Sequence, residues 1–246
     1  MPPTKYYVVW IGHKPGIYTT WAEAEKQVKG FPKANFKSFP SKKLAEEAFS
    51  CEPAAPSKPT QQHEPIARVT DETFTADVDI FCDGACDPNP GKAGTGIATY
   101  KKGKLDQLWY GLYNPSGTNN TAELLGLHYS LLKAKTIAES GDSVTIHCDS
   151  KYSIDCITKW ANDWEAKGWT KKSGEIKNLD IIKSAHALYL TIAGRVEVRH
   201  VSAHIGIEGN ELADRMSVIA IERRETELCQ YTESLSIPDI LAMARG

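Results

Sequence analysis

The chain has 246 residues, 41% of them hydrophobic, and this length favours one large domain or two unequal ones. No apolar run approaches the roughly 18 residues that a membrane-spanning helix needs, and the first residues lack the apolar core of a secretory signal. An intracellular protein, cytoplasmic or nuclear and without membrane association, is therefore expected. The six cysteines lack the Cys-x-x-Cys spacing of zinc sites, which favours reduced thiols.

Charge is distributed unevenly along the chain. The net charge of −2 divides into +4 for residues 1–50, −3 for 51–77, −1 for 78–223 and −2 for 224–246. The first 50 residues are therefore a small basic module, and the long central segment is close to neutral. Segment charge is more informative here than whole-chain charge about possible partners.

The N-terminal 76 residues are predicted to form a small module followed by a linker. The predicted elements of residues 1–50 are a strand at 6–11, a helix that begins at Thr20, a strand at 36–39 and a helix over 41–49. Thr20 and Glu23 have the spacing of a capping box. Residues 51–76 contain a proline-rich run without periodicity, which is typical of an extended linker.

The segment 77–223 has the pattern of an α/β domain. Its predicted elements are strands at 77–83, 94–101 and 105–112, a helix at 120–138, a strand at 143–148, helices at 151–161 and 178–190, a strand at 195–201 and a helix at 210–223. Three strands followed by alternating helices and strands indicate a mixed sheet with helices on its faces. Residues 224–246 form a C-terminal extension that can begin a short helix with Pro238 at its first position.

Four acidic residues of this domain lie in contexts that favour metal binding. Asp83 and Asp149 end apolar, β-branched runs, so we expect them at strand ends, and Glu123 and Asp214 lie near the starts of predicted helices. Oxygen ligands that converge from separate elements suit magnesium or manganese, and a pair of such ions is a common device for phosphoryl transfer. The pattern therefore predicts a metal-dependent phosphodiester enzyme.

Each of these carboxylates also has a simpler interpretation. Asn120 and Glu123 have the spacing of a capping box, and Asp83 could be a turn residue before Gly84. Asp149 could be a helix N-cap, and Asp214 could lie on a solvated helix face. All four simpler explanations would have to coincide, which favours the metal site.

The same residues carry a resemblance to a known family. The motifs are Asp83-Gly84, Asn89-Pro90-Gly91, residues 118–123, Cys148-Asp149-Ser150, His204-Ile205-Gly206, Gly209-Asn210-Glu211 and Asp214. Together they resemble the cellular ribonuclease H of type 1, and residues 5–49 resemble the RNA/DNA hybrid-binding module of its eukaryotic-type members. The resemblance implies a ribonuclease-H-like fold, with a five-stranded mixed sheet flanked by helices over 77–223. It also implies a small α+β hybrid-binding module over 1–50.

The resemblance also implies an activity and a cofactor. The chain would be an endoribonuclease that hydrolyses the RNA strand of RNA/DNA hybrids and leaves 5′-phosphate and 3′-hydroxyl ends, with a monomeric catalytic domain. Two Mg²⁺ ions, replaceable by Mn²⁺, would share Asp83; Asp149 and Glu123 would complete one site and Asp214 the other. His204 would assist proton movement and product release.

Substrate contacts are carried over in the same way. The residues implied in the nuclease domain are Cys86, Asn89, Asn119 and Asn210 on the RNA or minor-groove side, Asn120 on the DNA side, Thr118 and Asn178 in a phosphate pocket, and Trp160 and Trp164 in a basic protrusion. Those implied in the module are Tyr7, Trp21, Phe36 and Lys37. Two positions depart from the family pattern: Ser116 replaces an arginine of the phosphate pocket, and Ser38 replaces a second lysine of the module.

Two alternatives remain open at this point. A non-catalytic hybrid-binding protein could keep the fold, although the four intact carboxylates disfavour that hypothesis. The nuclease portion of a retroelement polyprotein would have polymerase sequence upstream, where this chain has a hybrid-binding module. Integrases and transposases share related folds but space their acidic residues differently.

Overall fold

The computed structural model describes residues 5–31, 34–39, 41–42, 45–46, 49, 74, 76–171, 174–202 and 206–245. The chain divides into two compact units, Met1–Gln62 and His63–Gly246. No helix among these residues is long and apolar enough to cross a membrane. The predicted linker over 51–76 lies almost entirely outside the described residues.

The first unit is a three-stranded antiparallel sheet with one helix. Its elements are β1 (Tyr6–Ile11), β2 (Gly16–Tyr18), α1 (Trp21–Val28) and β3 (Asn35–Phe39), with strand order β2-β1-β3. Thr20 is the N-cap of α1, since its hydroxyl accepts from the Glu23 backbone N–H at 3.4 Å and donates to the Glu23 carboxylate at 2.9 Å. β2 was not predicted from the sequence, and only part of the predicted helix over 41–49 lies within the described residues.

The second unit is built on a six-stranded mixed sheet. Its strands are β4 (Val78–Asp87), β5 (Gly91–Lys101), β6 (Lys104–Gly117), β7 (Val144–Cys148), β8 (Val196–His200) and β9 (Cys229–Gln230), in the order β8-β7-β4-β5-β6-β9. β5 pairs antiparallel with both β4 and β6, whereas β7 runs parallel to both β4 and β8. The α/β fold with a mixed sheet and three antiparallel first strands is confirmed.

Helices cover both faces of this sheet. They are α2 (Asn119–Glu139), α3 (Lys151–Asp155), a π-helical turn (Cys156–Trp160), α4 (Ala161–Ala166), α5 (Leu179–Ile192), α6 (Glu208–Arg223) and α7 (Ile237–Leu241). One core lies between the sheet and α2 and α5, and includes Ile80, Leu127 and Ile146. A second core lies under α6 and includes Phe81, Leu108 and Met216.

The predicted count of five strands is wrong by one. β9 belongs to the C-terminal extension and pairs antiparallel with β6, with Trp109 opposite Gln230 and Tyr110 opposite Cys229. The unpaired edge of β6 supplies the hydrogen-bonding groups, and the buried Tyr231 anchors the segment against the second core. A two-residue strand is too short to be visible as a pattern in the sequence.

The strand bounds also differ from prediction. β4 continues to Asp87, so Asp83 lies in the middle of a strand and not at its end. β5 begins at Gly91, and β6 extends to Gly117 where a strand over 105–112 was expected. The glycine-rich start of β5 obscures its pattern, because glycine has low strand propensity.

Candidate active site

Asp83 lies in β4 and Asp149 directly follows β7, and these two strands are neighbours in the interior of the sheet. The preceding residues, Cys82 and Cys148, are register partners in the parallel pair of β4 and β7. Both thiols are buried, because successive side chains of a strand point to opposite faces of the sheet. Asp83 and Asp149 therefore leave the two strands at the same level.

Glu123 reaches the same place from α2. The N-cap of this helix is Thr118, whose hydroxyl accepts from the Thr121 amide at 3.2 Å. A Cβ atom at Gly84 would lie 2.4 Å from the Glu123 amide, so only glycine allows α2 to approach β4 this closely. The Asn119 side-chain amide then donates to the Glu123 carboxylate at 2.6 Å.

Asp214 arrives from the opposite face, on the second turn of α6. Gly96 is the register partner of Asp83, and a Cβ there would lie 2.0 Å from the carbonyl oxygen of Ala213. α6 is therefore in direct contact with the strand beside Asp83. Asp214 is only 4% exposed and is paired with the guanidinium of Arg215.

The pKa of Asp83 reflects the approach of the other three carboxylates. Burial raises its pKa well above the ordinary value, and the negative charges of Asp149, Asp214 and Glu123 add to the effect. Burial also raises the pKa of Glu123 to about 7, although a hydrogen bond from Ser150 opposes the shift. Four carboxylates thus meet at a site where their negative charges are costly without a cation.

The donor chemistry suits a hard divalent cation. Carboxylate oxygens are the preferred ligands of Mg²⁺, and like-charge repulsion among them is relieved by a bound cation. Among the described residues, no three His, Cys, Asp or Glu side chains are already arranged as a metal-binding group. The residue types and the electrostatics fit the ion, and the side chains would have to move together to hold it.

The simpler interpretations of the four carboxylates fail. Asn120 lies inside α2, so it forms no capping box with Glu123. Asp83 is in a strand and not in a turn, and the N-cap of α3 is Ser150 and not Asp149. Asp214 is buried and not on a solvated face.

The predicted substrate residues divide into surface and buried positions. Asn89 and Asn120 are exposed, and the Asn89 side-chain oxygen Oδ1 accepts from the backbone N–H of Asn119 at 3.2 Å. Cys86 is half-buried beside the carbonyl oxygen of Pro88. Asn210 is only 3% exposed and donates to the Asp149 carboxylate at 3.1 Å, so the structure places it behind a carboxylate and not on the open surface.

The predicted phosphate pocket is assembled through a residue that the sequence did not single out. Thr121 lies between Thr118 and Asn178, with its hydroxyl 2.7 Å from the Thr118 hydroxyl and donating to the Asn178 side-chain carbonyl at 2.9 Å. Asn178 has a left-handed backbone, with φ of 57°. Ser116, the position at which the family resemblance implied an arginine, is exposed.

The two predicted tryptophans line a shallow groove. The rings of Trp160 and Trp164 have centroids 5.9 Å apart, and Trp160 is 41% exposed. With Lys167 and Lys171 they border a cavity of about 410 Å³. Lys172, which follows Lys171 in the sequence, lies outside the described residues.

The first unit presents an aromatic surface of its own. Trp21 lies between Tyr7 and Phe36, with ring centroids 5.6 and 5.5 Å away, and both Trp21 and Phe36 are 42% exposed. Lys37 is exposed, but alternation along β3 directs it to the other face of the strand from Phe36. The structure therefore gathers the three aromatic residues and leaves the lysine apart.

His204 lies outside the described residues, because residues 203–205 are not among them. Two residues near the carboxylates were missed by sequence reasoning, namely Arg215 and Ser150. Arg215 follows Asp214 directly, and Ser150 follows Asp149 directly. Adjacency to a predicted ligand was the available signal, but only the fold shows that Arg215 is buried.

Two family models match the chain. The ribonuclease H model covers residues 75–222, more than half of the chain, and the model of the ribonuclease H1 N-terminal domain covers residues 5–49. The chain belongs to the ribonuclease H family. Both halves of the resemblance inferred from the motifs are thereby confirmed, and so is the predicted enzyme class, a ribonuclease.

Named relatives agree with this assignment. The ribonuclease H of Methylorubrum extorquens is 33% identical over 146 residues, which are 59% of this chain and 60% of that protein. Ribonuclease H1 of Mus musculus is 28% identical over 257 residues, which are 86% of this chain and 87% of that protein. The mouse alignment therefore extends over both units of this ribonuclease H chain.

Solved structures share the fold. A type 1 ribonuclease H that carries the type 2 active-site motif is 25% identical, with a TM-score of 0.53, over 69% of this chain and 82% of that one. This agreement supports the ribonuclease-H-like architecture of the second unit.

Proposed function

We propose that this chain is an endoribonuclease that hydrolyses the RNA strand of RNA/DNA hybrids by a two-metal mechanism, leaving 5′-phosphate and 3′-hydroxyl ends. One observation carries the proposal: Asp83 is surrounded by the charges of Asp149, Asp214 and Glu123 in a member of the ribonuclease H family. A site of this kind concentrates negative charge where a phosphodiester must bind. We therefore expect the site to be inactive until divalent cations neutralise the charge of its carboxylates.

Within this proposal, the carboxylates divide the coordination between them. Asp83 would contact both ions, Asp149 and Glu123 would complete one site, and Asp214 would complete the other. Bound magnesium would supply charge stabilisation and lower the pKa of a coordinated water. Asn210 and Asn119 hold Asp149 and Glu123 by hydrogen bonds at 3.1 and 2.6 Å, which orients the ligands before the ions arrive.

The exposed asparagines supply strand discrimination. Asn89 and Asn120 can each donate and accept, which suits the minor groove of a hybrid. Glu123 can accept from a 2′-hydroxyl of the strand to be cut, and this contact is available only on RNA. The groove beside Trp160 and Trp164, bordered by lysines, offers a surface for the DNA strand.

The first unit would add affinity. Exposed Trp21 and Phe36, with Tyr7 beside them, provide ring faces for the sugars and bases of a hybrid. Eight lysines against four glutamates in residues 1–50 make this unit attractive to a polyanion. A single lysine after Phe36 predicts weaker binding than a two-lysine module, by roughly one phosphate contact or about 0.9 in the salt slope.

A gel assay with end-labelled nucleic acid tests the proposal. The protein is incubated with an RNA/DNA hybrid, an RNA duplex and a DNA duplex, each with magnesium and with EDTA. We expect cleavage of the RNA strand of the hybrid alone, in magnesium alone, and products with a 5′-phosphate and a 3′-hydroxyl. Cleavage of either duplex at a comparable rate, or of the hybrid in EDTA, would contradict it.

A further inference from the structure

The C-terminal extension is folded onto the nuclease unit. It begins at residue 224, two residues after the end of the match to the ribonuclease H family model, and it adds β9 to the sheet and α7 to the surface of α6. Tyr231 is 3% exposed and Ile240 is 1% exposed, and both belong to the core under α6. The extension therefore shares a core with the helix that carries Asp214.

A chain of alternating charges connects the end of this extension to Asp214. Arg245 donates to the Glu211 carboxylate, with an N–O distance of 3.1 Å. The same carboxylate oxygen accepts from Arg215 at 3.3 Å. Arg215 in turn donates to the Asp214 carboxylate.

The inner members of this chain are buried, whereas Arg245 is not. The side chains of Glu211 and Arg215 are 4% and 2% exposed, and that of Arg245 is 60% exposed. Arg215 also donates to the carbonyl oxygen of Leu241 in α7, at 3.5 Å. Its guanidinium is thus shared among Asp214, Glu211 and the extension.

Buried charges of this kind depend on their partners. A buried carboxylate that loses one of its two guanidinium partners interacts more strongly with the partner that remains. Without Arg245, Glu211 would compete with Asp214 for the guanidinium of Arg215. The Asp214 side chain would then be less firmly held before a metal ion binds. The free-energy cost of ordering this side chain would weaken the binding of the metal ion.

We propose that Arg245 is a positioning residue for Asp214, acting through Glu211 and Arg215, and that the C-terminal extension thereby sets the affinity of the nuclease for its metal ions. This inference rests on the proposed function, because it takes Asp214 as a metal ligand. It gives the extension a role beyond folding. It also explains why a segment outside the family model ends against α6.

The test measures magnesium binding directly. The full chain and its Arg245→Ala, Arg245→Lys and Glu233→Gln variants are titrated with Mg²⁺ by calorimetry without nucleic acid. Glu233→Gln is the matched control. Glu233 lies in the same extension, and the substitution breaks its exposed ion pair with Arg223 of α6. Melting temperatures in EDTA and the magnesium dependence of hybrid cleavage complete the set.

We expect Arg245→Ala to weaken magnesium binding about threefold, the size of effect that one partly exposed ion pair can exert. Arg245→Lys should stay within about a factor of two of the unmodified chain, because it keeps a cation beside Glu211. Glu233→Gln should leave magnesium binding unchanged. The melting temperature in EDTA should fall by less than about 3 °C for Arg245→Ala, because Arg245 is exposed.

Three results would overturn the inference. Unchanged or tighter magnesium binding by Arg245→Ala would mean that Arg245 affects the metal site only through its long-range electrostatic field, or not at all. Equal weakening by Glu233→Gln, or a large loss of melting temperature with weakening that lysine does not rescue, would indicate a purely structural role. If the unmodified chain does not cleave hybrids in magnesium, the proposed function itself fails, and that outcome is distinct from any of these.

Discussion

Removal of the Asp83 carboxylate is expected to stabilise the protein in the absence of metal. Burial and three neighbouring negative charges raise the pKa of Asp83, so its ionised form opposes folding. We predict that Asp83→Asn raises the melting temperature in EDTA at pH 8 by about 3 °C. Thermal denaturation of the variant and of the unmodified chain in EDTA measures it, with Glu222→Gln on the surface of α6 as the control.

The stability of the metal-free protein should fall as the pH rises. A carboxyl whose pKa is higher in the folded protein than in the unfolded chain holds its proton longer when folded, so metal-free stability falls as pH rises through that window. For Asp83 the window begins at the ordinary value of 3.8 and extends well above it, and for Glu123 it runs from 4.5 to about 7. The benefit of Asp83→Asn should therefore be smaller at pH 5 than at pH 8, and an equal benefit at both pH values would contradict the electrostatic explanation.

His204→Ala should slow turnover much more mildly than loss of a carboxylate. Its expected role in proton movement and product release is auxiliary, and a general acid–base contribution is typically about 10²–10⁴-fold, so the effect should lie at or below the low end of that range. Single-turnover and steady-state rates on a hybrid measure it. A loss as severe as that of Asp83→Asn would make the histidine essential.

At the residue scale, the sequence predicts the proposed metal ligands but not the residues that hold them in place. Asp83, Glu123, Asp149 and Asp214 were recognisable because each lies in a distinctive local motif of the sequence. Arg215 was not, since an arginine after an aspartate on a helix usually indicates a solvated ion pair. Its burial depends on Leu241 and Glu211, and that arrangement arises only when the extension folds back.

At the element scale, the approach of α2 to β4 depends on Gly84. A methyl group there would lie 2.4 Å from the Glu123 amide and 2.5 Å from the carbonyl carbon of Ala122, so the helix must move. We predict that Gly84→Ala lowers kcat at least about tenfold, because small displacements of catalytic groups are that costly. Initial rates on a hybrid at saturating magnesium measure it.

Gly194→Ala is the matched control for that change, since a Cβ at Gly194 meets nothing within 4 Å. It should leave both the rate and the melting temperature close to those of the unmodified chain. Full activity of Gly84→Ala would show that the close contact between α2 and β4 does not position Glu123.

Long elements were predictable, and elements made by tertiary pairing were not. The long helix expected at 120–138 is observed as Asn119–Glu139, because a long run of residues with good helix propensity is a local signal. β9 has only two residues and exists because the edge of β6 is available to it. The extension of β4 past Asp83 likewise depends on pairing with β5 over Asp83 to Asp87.

At the scale of the whole molecule, the two units should contribute separately to activity. Residues 78–223 contain all four proposed ligands, and a segment of that size can form its own core. We predict that deletion of residues 1–65 leaves an active nuclease that binds hybrids less tightly, because the linked module raises the effective concentration of the substrate. The measurement is the initial rate on long and short hybrids at sub-saturating concentration.

The loss on deletion should be greatest on long hybrids and should shrink on those too short to engage both units. Trp21→Ala in the full chain should reproduce most of it, since stacking of a base on an aromatic ring is worth about 1–3 kcal/mol. Equal rates of the full and truncated chains on long and short hybrids would mean that the first 50 residues do something other than hold the substrate.

The central claim is that Asp83 holds the metal ions on which hydrolysis depends. It is tested most directly by the rate at which Asp83→Asn cleaves the RNA strand of a hybrid at saturating magnesium, with hybrid binding measured in parallel. The account predicts that cleavage is abolished while binding persists, because a ligand shared by both ions is lost and the surrounding groove is unchanged. Cleavage within about tenfold of the unmodified chain would contradict it, since mutation of an essential group typically costs far more.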